Sequence, residues 1–388
     1  MLRGVWSSGA ILVHPLEQLM ASISASPGPM GFAARPRRPP QHDLRIALCV
    51  PLGGTVGIWG PSALASARLA VAELNQRAGI NGQACQLLTI NAADDAPDLE
   101  RTLLELVEND DVDALIGMHT SAVRQRILAA VGGQLPFVYT PLYEGGEHTP
   151  GVFAIGETTA SQLRPAIAWL GRHQRPKRWM FIGNDYVWPH VSHAMARDYV
   201  AETGGTVVGE RYLPLGTSDY AEVLSQLRRS RADAVLLSLI GQDAIEFNRA
   251  FGREGLARDM VRLSCAIGEN ELLGIGADNT DNLYVACGYF ATLDTDDNLA
   301  FKERYYGHFG ERAPTLNTFG QSTYEGVHFL AELLGREAAP WTDFRRLGDE
   351  PFHYRSARGA VYAGGQACKV PIYLAQAEGH HYKVIARL

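Results

Sequence analysis

The sequence predicts an α/β protein built from two doubly wound, Rossmann-like lobes. Short apolar runs alternate with helix-period segments from Leu44 to about residue 170, and the alternation restarts at Trp179 and runs to Val285. Such alternation implies largely parallel sheets with helices on their faces. At 388 residues the chain is long enough for two domains of ordinary size. Its 46% apolar and 20% charged residues match a soluble globular protein.

Taken in order, Leu44–Val50 reads as an apolar strand ended by Pro51, followed by a glycine-rich loop with Trp59 at its tip. Pro61 starts a helix over residues 62–77, whose inner side is Leu64, Ala67, Leu69, Ala70, Val71 and Leu74. Strands follow at 85–90, 112–116, 136–139 and 152–155, with helices at 99–108, after the loop 117–121 through 131, and at 160–170. The second round places strands at 179–182, 207–213, 234–239, 260–265 and 283–285, and helices at 191–203, 220–229 and 244–251. Pro189 suits the first position of the helix after the first of these strands, where a missing N–H costs nothing. Beyond residue 287 come helices at 299–308 and 317–334 and an alternating, antiparallel set of strands from 359 to 385. These sections are too short for a third domain and are expected to return to the first two.

Composition narrows the function. A net charge of −7 and a pI near 6.0 speak against a broad nucleic-acid footprint. Cys49, Cys85, Cys265, Cys287 and Cys368 lie far apart without zinc spacing, so no metal site is expected. Cys49 and Cys287 read as buried free thiols, a weak sign of a reducing compartment, and one disulfide stays open. Neither GxGxxG nor the Walker spacing occurs, so no nucleotide cofactor is expected. Residues 1–43 read as a disordered or mis-annotated arm: the apolar run after Gly9 is short and broken by His14, and residues 35–40 are rich in proline and arginine. No other segment has the length of a membrane span. These features favour the cytoplasm and leave the periplasm as the alternative.

Ligands of open α/β sheets bind beyond the carboxyl ends of strands, and the exit loops here are rich in candidates. Asn184, Asp185, Tyr186 and Trp188 follow one strand; His119, Thr120 and Ser121 follow another; Tyr139, Thr140, Pro141 and Tyr143 follow a third. Ser121 suits a helix cap, a structural task, or the binding of a small carbonyl or carboxylate. Aromatic walls with a few hydroxyl donors suit small, mostly neutral ligands. Each aromatic has a plainer alternative as core or turn residue. No nucleophile–base signature is present, and His119 has no acidic neighbour in the local sequence.

Leu44–Val50, the stretch 63–75 and the turn at 79–82 resemble the opening of type I periplasmic-binding-protein domains. The exit loops at 139–145 and 182–189 are similar to those of the amide- and urea-binding branch, which includes transport receptors and the amide sensor of amidase operons. The resemblance implies a non-enzymatic receptor whose lobes are joined by a hinge of three crossings, near Ala160, Cys287 and Glu350. Lobe 1 would be residues 44–160 plus 288–350, and lobe 2 residues 161–287 plus 351–388. It also implies ligand contacts from Ser121, Tyr139, Tyr186 and Trp188, with His119 standing where relatives carry an aromatic and Trp188 where they carry tyrosine. Thr140, Pro141, Tyr143, Gly241 and Asp185 complete the expected site, while Asp243 and Asp185 keep an amino-acid ligand open. The function expected first is a sensor of the amidase-regulator type for a small amide, urea or related solute, acting on a partner such as an antiterminator. The alternative is a solute receptor for an ABC permease, binding urea, amides or branched-chain amino acids. An amide-processing enzyme using His119 and Ser121 is the second alternative. No cofactor and no direct nucleic-acid contact are expected, and homo-oligomerisation stays open.

Overall fold

A computed structural model describes residues 43–336, 344–365 and 368–388. All but the last residue of the expected N-terminal arm therefore lies outside the described residues.

Alternation along β1 (Leu44–Val50) sets the first sheet between two helical layers. Ile46, Leu48 and Val50 face α1 (Gly60–Asn75), whereas Ala47 and Cys49 face the opposite side. That opposite core is filled by Leu99 and Leu103 of α2 (Leu99–Glu108) and by Val123 and Ile127 of α3 (Ser121–Val131). β2 (Cys85–Asn91), β3 (Ala114–Gly117), β4 (Phe137–Tyr139) and β5 (Val152–Ala154) join β1 in the order β2-β1-β3-β4-β5, all parallel.

The chain then crosses to the second lobe through α4 (Thr159–His173), which opens on a capping box between Thr158 and Ser161. β6 (Arg178–Asn184), α5 (Val187–Glu202), β7 (Thr206–Leu213), α6 (Ala221–Ser230) and β8 (Ala234–Ser238) repeat the pattern. α7 (Gly241–Arg253), β9 (Val261–Ser264), α8 (Glu269–Ile275) and β10 (Leu283–Cys287) complete it. Pro189 is the third residue of α5, not the first. It is tolerated because first-turn N–H groups have no intrahelical partner.

After β10 the chain returns to lobe 1 as α9 (Asp296–Phe309) and α10 (Thr318–Gly335). α10 lies so close to α1 that a Cβ on Gly320 would fall 2.1 Å from the Ser62 hydroxyl, so only glycine fits there. Just past Glu350, where the third crossing is expected, the chain packs on lobe 1. Phe352 bridges Tyr362, and the Tyr362 ring packs against Phe153 and Phe329 of lobe 1. This aromatic cluster holds the chain back through the ribbon of β11 (Val361–Tyr362) and β12 (Cys368–Lys369). Only β13 (Tyr373–Glu378) and β14 (His381–Arg387) join the second sheet, ordered β14-β13-β10-β9-β8-β6-β7, with β13 and β14 antiparallel.

The crossings are tied by buried charge. Glu157 accepts the Gly288 N–H at 2.8 Å and pairs with Arg358 at 2.6 Å, and Arg358 also donates to Glu325 at 2.9 Å. All five cysteines are free, and all but Cys368 are buried.

Candidate functional site

The carboxyl ends of the parallel strands of both sheets meet at a narrow cavity of ≈ 20 Å³ between the lobes. From lobe 1 come Trp59, His119, Thr120, Ser121, Tyr139, Pro141, Leu142 and, from the first turn of α10, Phe319. Lobe 2 contributes Tyr186 and Trp188 at the exit of β6, Ile240 after β8 and Ala266 after β9. None of these twelve side chains carries a formal carboxylate, ammonium or guanidinium.

On the lobe 1 wall most polar groups are already engaged. Thr120, not Ser121, caps α3: its Oγ1 accepts the Val123 N–H at 3.3 Å and donates to Asp94 at 2.6 Å. The Tyr139 hydroxyl donates to the carbonyl of His119 at 2.7 Å. His119 Nδ1 lies 3.1 Å from the carbonyl of Thr120, and because a carbonyl only accepts, that nitrogen carries the hydrogen. Burial pushes the His119 imidazole down to about 3, so it stays neutral. Its Nε2 is buried beside Gly117 without a hydrogen-bond partner, so no bond joins it to Ser121 as a base–nucleophile pair would require. Ser121 sits at the first position of α3, beside N–H groups that the helix leaves unused.

The lobe 2 wall differs. Trp188 is 3% exposed, and its indole N–H is buried without a hydrogen-bond partner among the described residues. Tyr186, its ring 6.4 Å from that of Trp188, is partly exposed. Burial raises its phenol well above the usual range, reinforced by the fields of Tyr139, Asp94 and Glu144 from the opposite lobe.

Four expected residues lie outside the lining. Thr140 turns its hydroxyl to the carbonyl of Gly117 at 3.2 Å. Tyr143 stands edge-on behind Tyr139, with the Arg124 guanidinium 5.2 Å from its ring. Arg124 is itself buried and paired with Glu144 and Glu147. Asp185 is exposed and paired with His190 at 2.8 Å. Gly241 touches the opposite lobe through its backbone. Asp243, the acid most suited to an ammonium, is buried and engaged by Asn184 at 2.6 Å and by the Gly216 N–H.

Sequence reasoning did not select Leu142, Ile240, Ala266 or Phe319. Trp59 had a signal, a lone large aromatic at a loop tip, and it stacks on Phe319 with ring centres 4.1 Å apart. Ser238, His193 and Glu210 form a chain, with 3.1 Å between Ser238 Oγ and His193 Nε2 and 3.2 Å between His193 Nδ1 and Glu210. His193, on the inner face of α5, and Ser238, at the end of β8, are buried and neither lines the cavity, so this chain serves packing. Among the described residues no three His, Cys, Asp or Glu side chains cluster as a metal site, and no helix is long and apolar enough to cross a membrane.

Two doubly wound lobes flank an uncharged, aromatic-lined cavity, an arrangement suited to a small-molecule receptor. The chain belongs to the periplasmic binding protein family: the sequence model of that description matches residues 43–350. Its members are solute-binding proteins, not enzymes, and this chain is a solute-binding protein of that kind. It is similar in structure to a periplasmic binding protein of Burkholderia mallei, with TM-score 0.79, 18% identity, and coverage of 89% of this chain and 94% of that one. It is also similar to a solute-binding protein of an ABC transporter from R. palustris in complex with benzoate, with TM-score 0.75, 15% identity, and coverage of 89% and 96%. A third similar structure is the branched-chain amino acid transporter substrate-binding protein of Streptococcus pneumoniae in complex with isoleucine, with TM-score 0.77, 18% identity, and coverage of 89% and 98%.

Proposed function

We propose that the protein is the solute-binding component of an ABC transporter, working outside the cytoplasmic membrane. Its ligand in this reading is a small planar solute whose polar end is a carboxylate or amide and which bears no ammonium. The observation that carries this reading is the uncharged lining with aromatic rings on both walls. Trp59, Phe319, Tyr139, Tyr186 and Trp188 offer flat apolar faces. The α3 N-terminus with Ser121 offers donors to an oxygen-rich end. An α-amino acid would bury its ammonium without a partner, since Asp243 is engaged elsewhere, at a cost of several kcal/mol. Closure follows because a ligand touching both lobes stabilises the closed state more than the open one.

The family description supports a transport receptor over the cytoplasmic amide sensor, whose support is the sequence resemblance of the two aromatic exit loops. A thermal-shift panel of benzoate, benzamide, urea and isoleucine tests the ligand class. Benzoate or benzamide is expected to raise Tm, because a ligand at a hundred times its Kd stabilises by about 2.7 kcal/mol, and isoleucine is expected to leave it unchanged. A shift with isoleucine and none with either planar solute would contradict the reading.

A further inference from the structure

The glycine-rich loop between β1 and α1 reaches across the cleft at three points. The Thr55 carbonyl accepts the Gln242 N–H at 2.8 Å, at the start of α7. The Ile58 carbonyl accepts from the Asn270 side chain at 3.0 Å, in the first turn of α8. The Trp59 indole N–H donates to the Glu271 carboxylate, and both side chains are buried. The approach is so close that a Cβ on Gly241 would fall 2.2 Å from the Thr55 carbonyl oxygen.

Glu271 does not line the cavity, yet it fixes a residue that does. Its second oxygen accepts the Gly268 N–H at 3.1 Å, so the carboxylate bridges the start of its own helix and the opposite lobe. Trp59 meets Phe319 on one side and the cavity on the other. An indole held at both its ring face and its N–H has one orientation; freed from the carboxylate, it has several.

We infer that residues 55–59 form a clasp that holds the lobes together, and that Glu271 is the positioning residue that sets Trp59 as the aromatic wall of the closed cleft. Ligand selection then depends on a lobe 2 carboxylate that never touches the ligand. Burial pushes that carboxyl up to about 7, against the pull of the Trp59 N–H, so the bond is made in a site closed to water. The inference rests on the interlobe receptor reading, and its test uses no ligand, so the two can fail separately.

The test is amide hydrogen exchange on the full chain, comparing Gln242, whose N–H is held only by the clasp, with the β6 amides as a control for the fold. Trp59→Phe and Glu271→Ala are each expected to lower protection of Gln242 about tenfold, as loss of one charge-assisted hydrogen bond implies, with β6 unchanged. The double variant is expected to lose no more than either single one, because both remove the same bond. Glu271→Gln keeps an acceptor and is expected to lose less than Glu271→Ala. A carboxylate that merely caps α8 would give losses that multiply in the double variant. That result, unchanged protection in Trp59→Phe, or an unprotected Gln242 in the unmodified protein would overturn the inference.

Discussion

The two walls of the cleft use their polar groups in opposite ways. On the lobe 1 wall, Thr120 caps a helix and binds Asp94, while Tyr139 holds the carbonyl of His119. On the lobe 2 wall, the Trp188 N–H has no hydrogen-bond partner among the described residues. Buried polar groups are ordinarily paired, and an unpaired one costs about 1–3 kcal/mol. The first wall thus has most of its polar groups engaged, His119 Nε2 being the exception, whereas the indole N–H of the second is left for something else to pair. Substitutions on the first wall should therefore act on stability, and those on the second on affinity.

The largest effect is expected behind the first wall. Arg124 lies within about 5 Å of the rings of Tyr139 and Tyr143 and pairs with both Glu144 and Glu147. Arg124→Leu leaves those carboxylates buried without a cation and is expected to cost about 3–5 kcal/mol in urea denaturation. A loss under 1 kcal/mol would remove the charge cluster from the account of how this wall is held. Next comes the second wall: Tyr186→Ala is expected to weaken binding of the planar solute by about tenfold, or 1.4 kcal/mol, with Tm almost unchanged. Unchanged affinity would take Tyr186 out of the site. The smallest effect is that of Tyr139→Phe, which strands the carbonyl of His119 and is expected to lower stability by about 1 kcal/mol. Affinity should barely move, and an affinity loss larger than that of Tyr186→Ala would reverse the roles of the two walls.

How much of this was legible in the sequence follows from the same contrast. Where strands and helices fall along the chain is a local matter of alternation and turn residues, so the two rounds of strands and the exit loops carrying Ser121, Tyr139, Tyr186 and Trp188 could be read directly. The use of each polar group could not, because it depends on partners brought in by the fold. Thr120 rather than Ser121 became the cap because Asp94, 26 residues earlier, completes its hydrogen bonds. Asp243 is taken up by Asn184 and the Gly216 N–H, partners 59 and 27 residues away that no local pattern marks. Phe319 enters the cleft from a helix far along the chain, and Trp59 meets a carboxylate 212 residues away. The late return to lobe 2 has a similar cause: Phe352 and Tyr362 have no local signal for the cluster with Phe153 that detains them.

In the proposed reading, the Trp188 indole N–H, unpaired among the described residues, adds to the donors of the α3 N-terminus a second one for the oxygen of a planar ligand. Calorimetric titration of wild type and Trp188→Phe, with whichever of benzoate or benzamide raises Tm, tests it most directly. Phenylalanine keeps an aromatic face and removes the N–H, so affinity is expected to fall about tenfold while the stability of the unliganded protein holds or rises. Equal affinities in the two proteins would contradict the account.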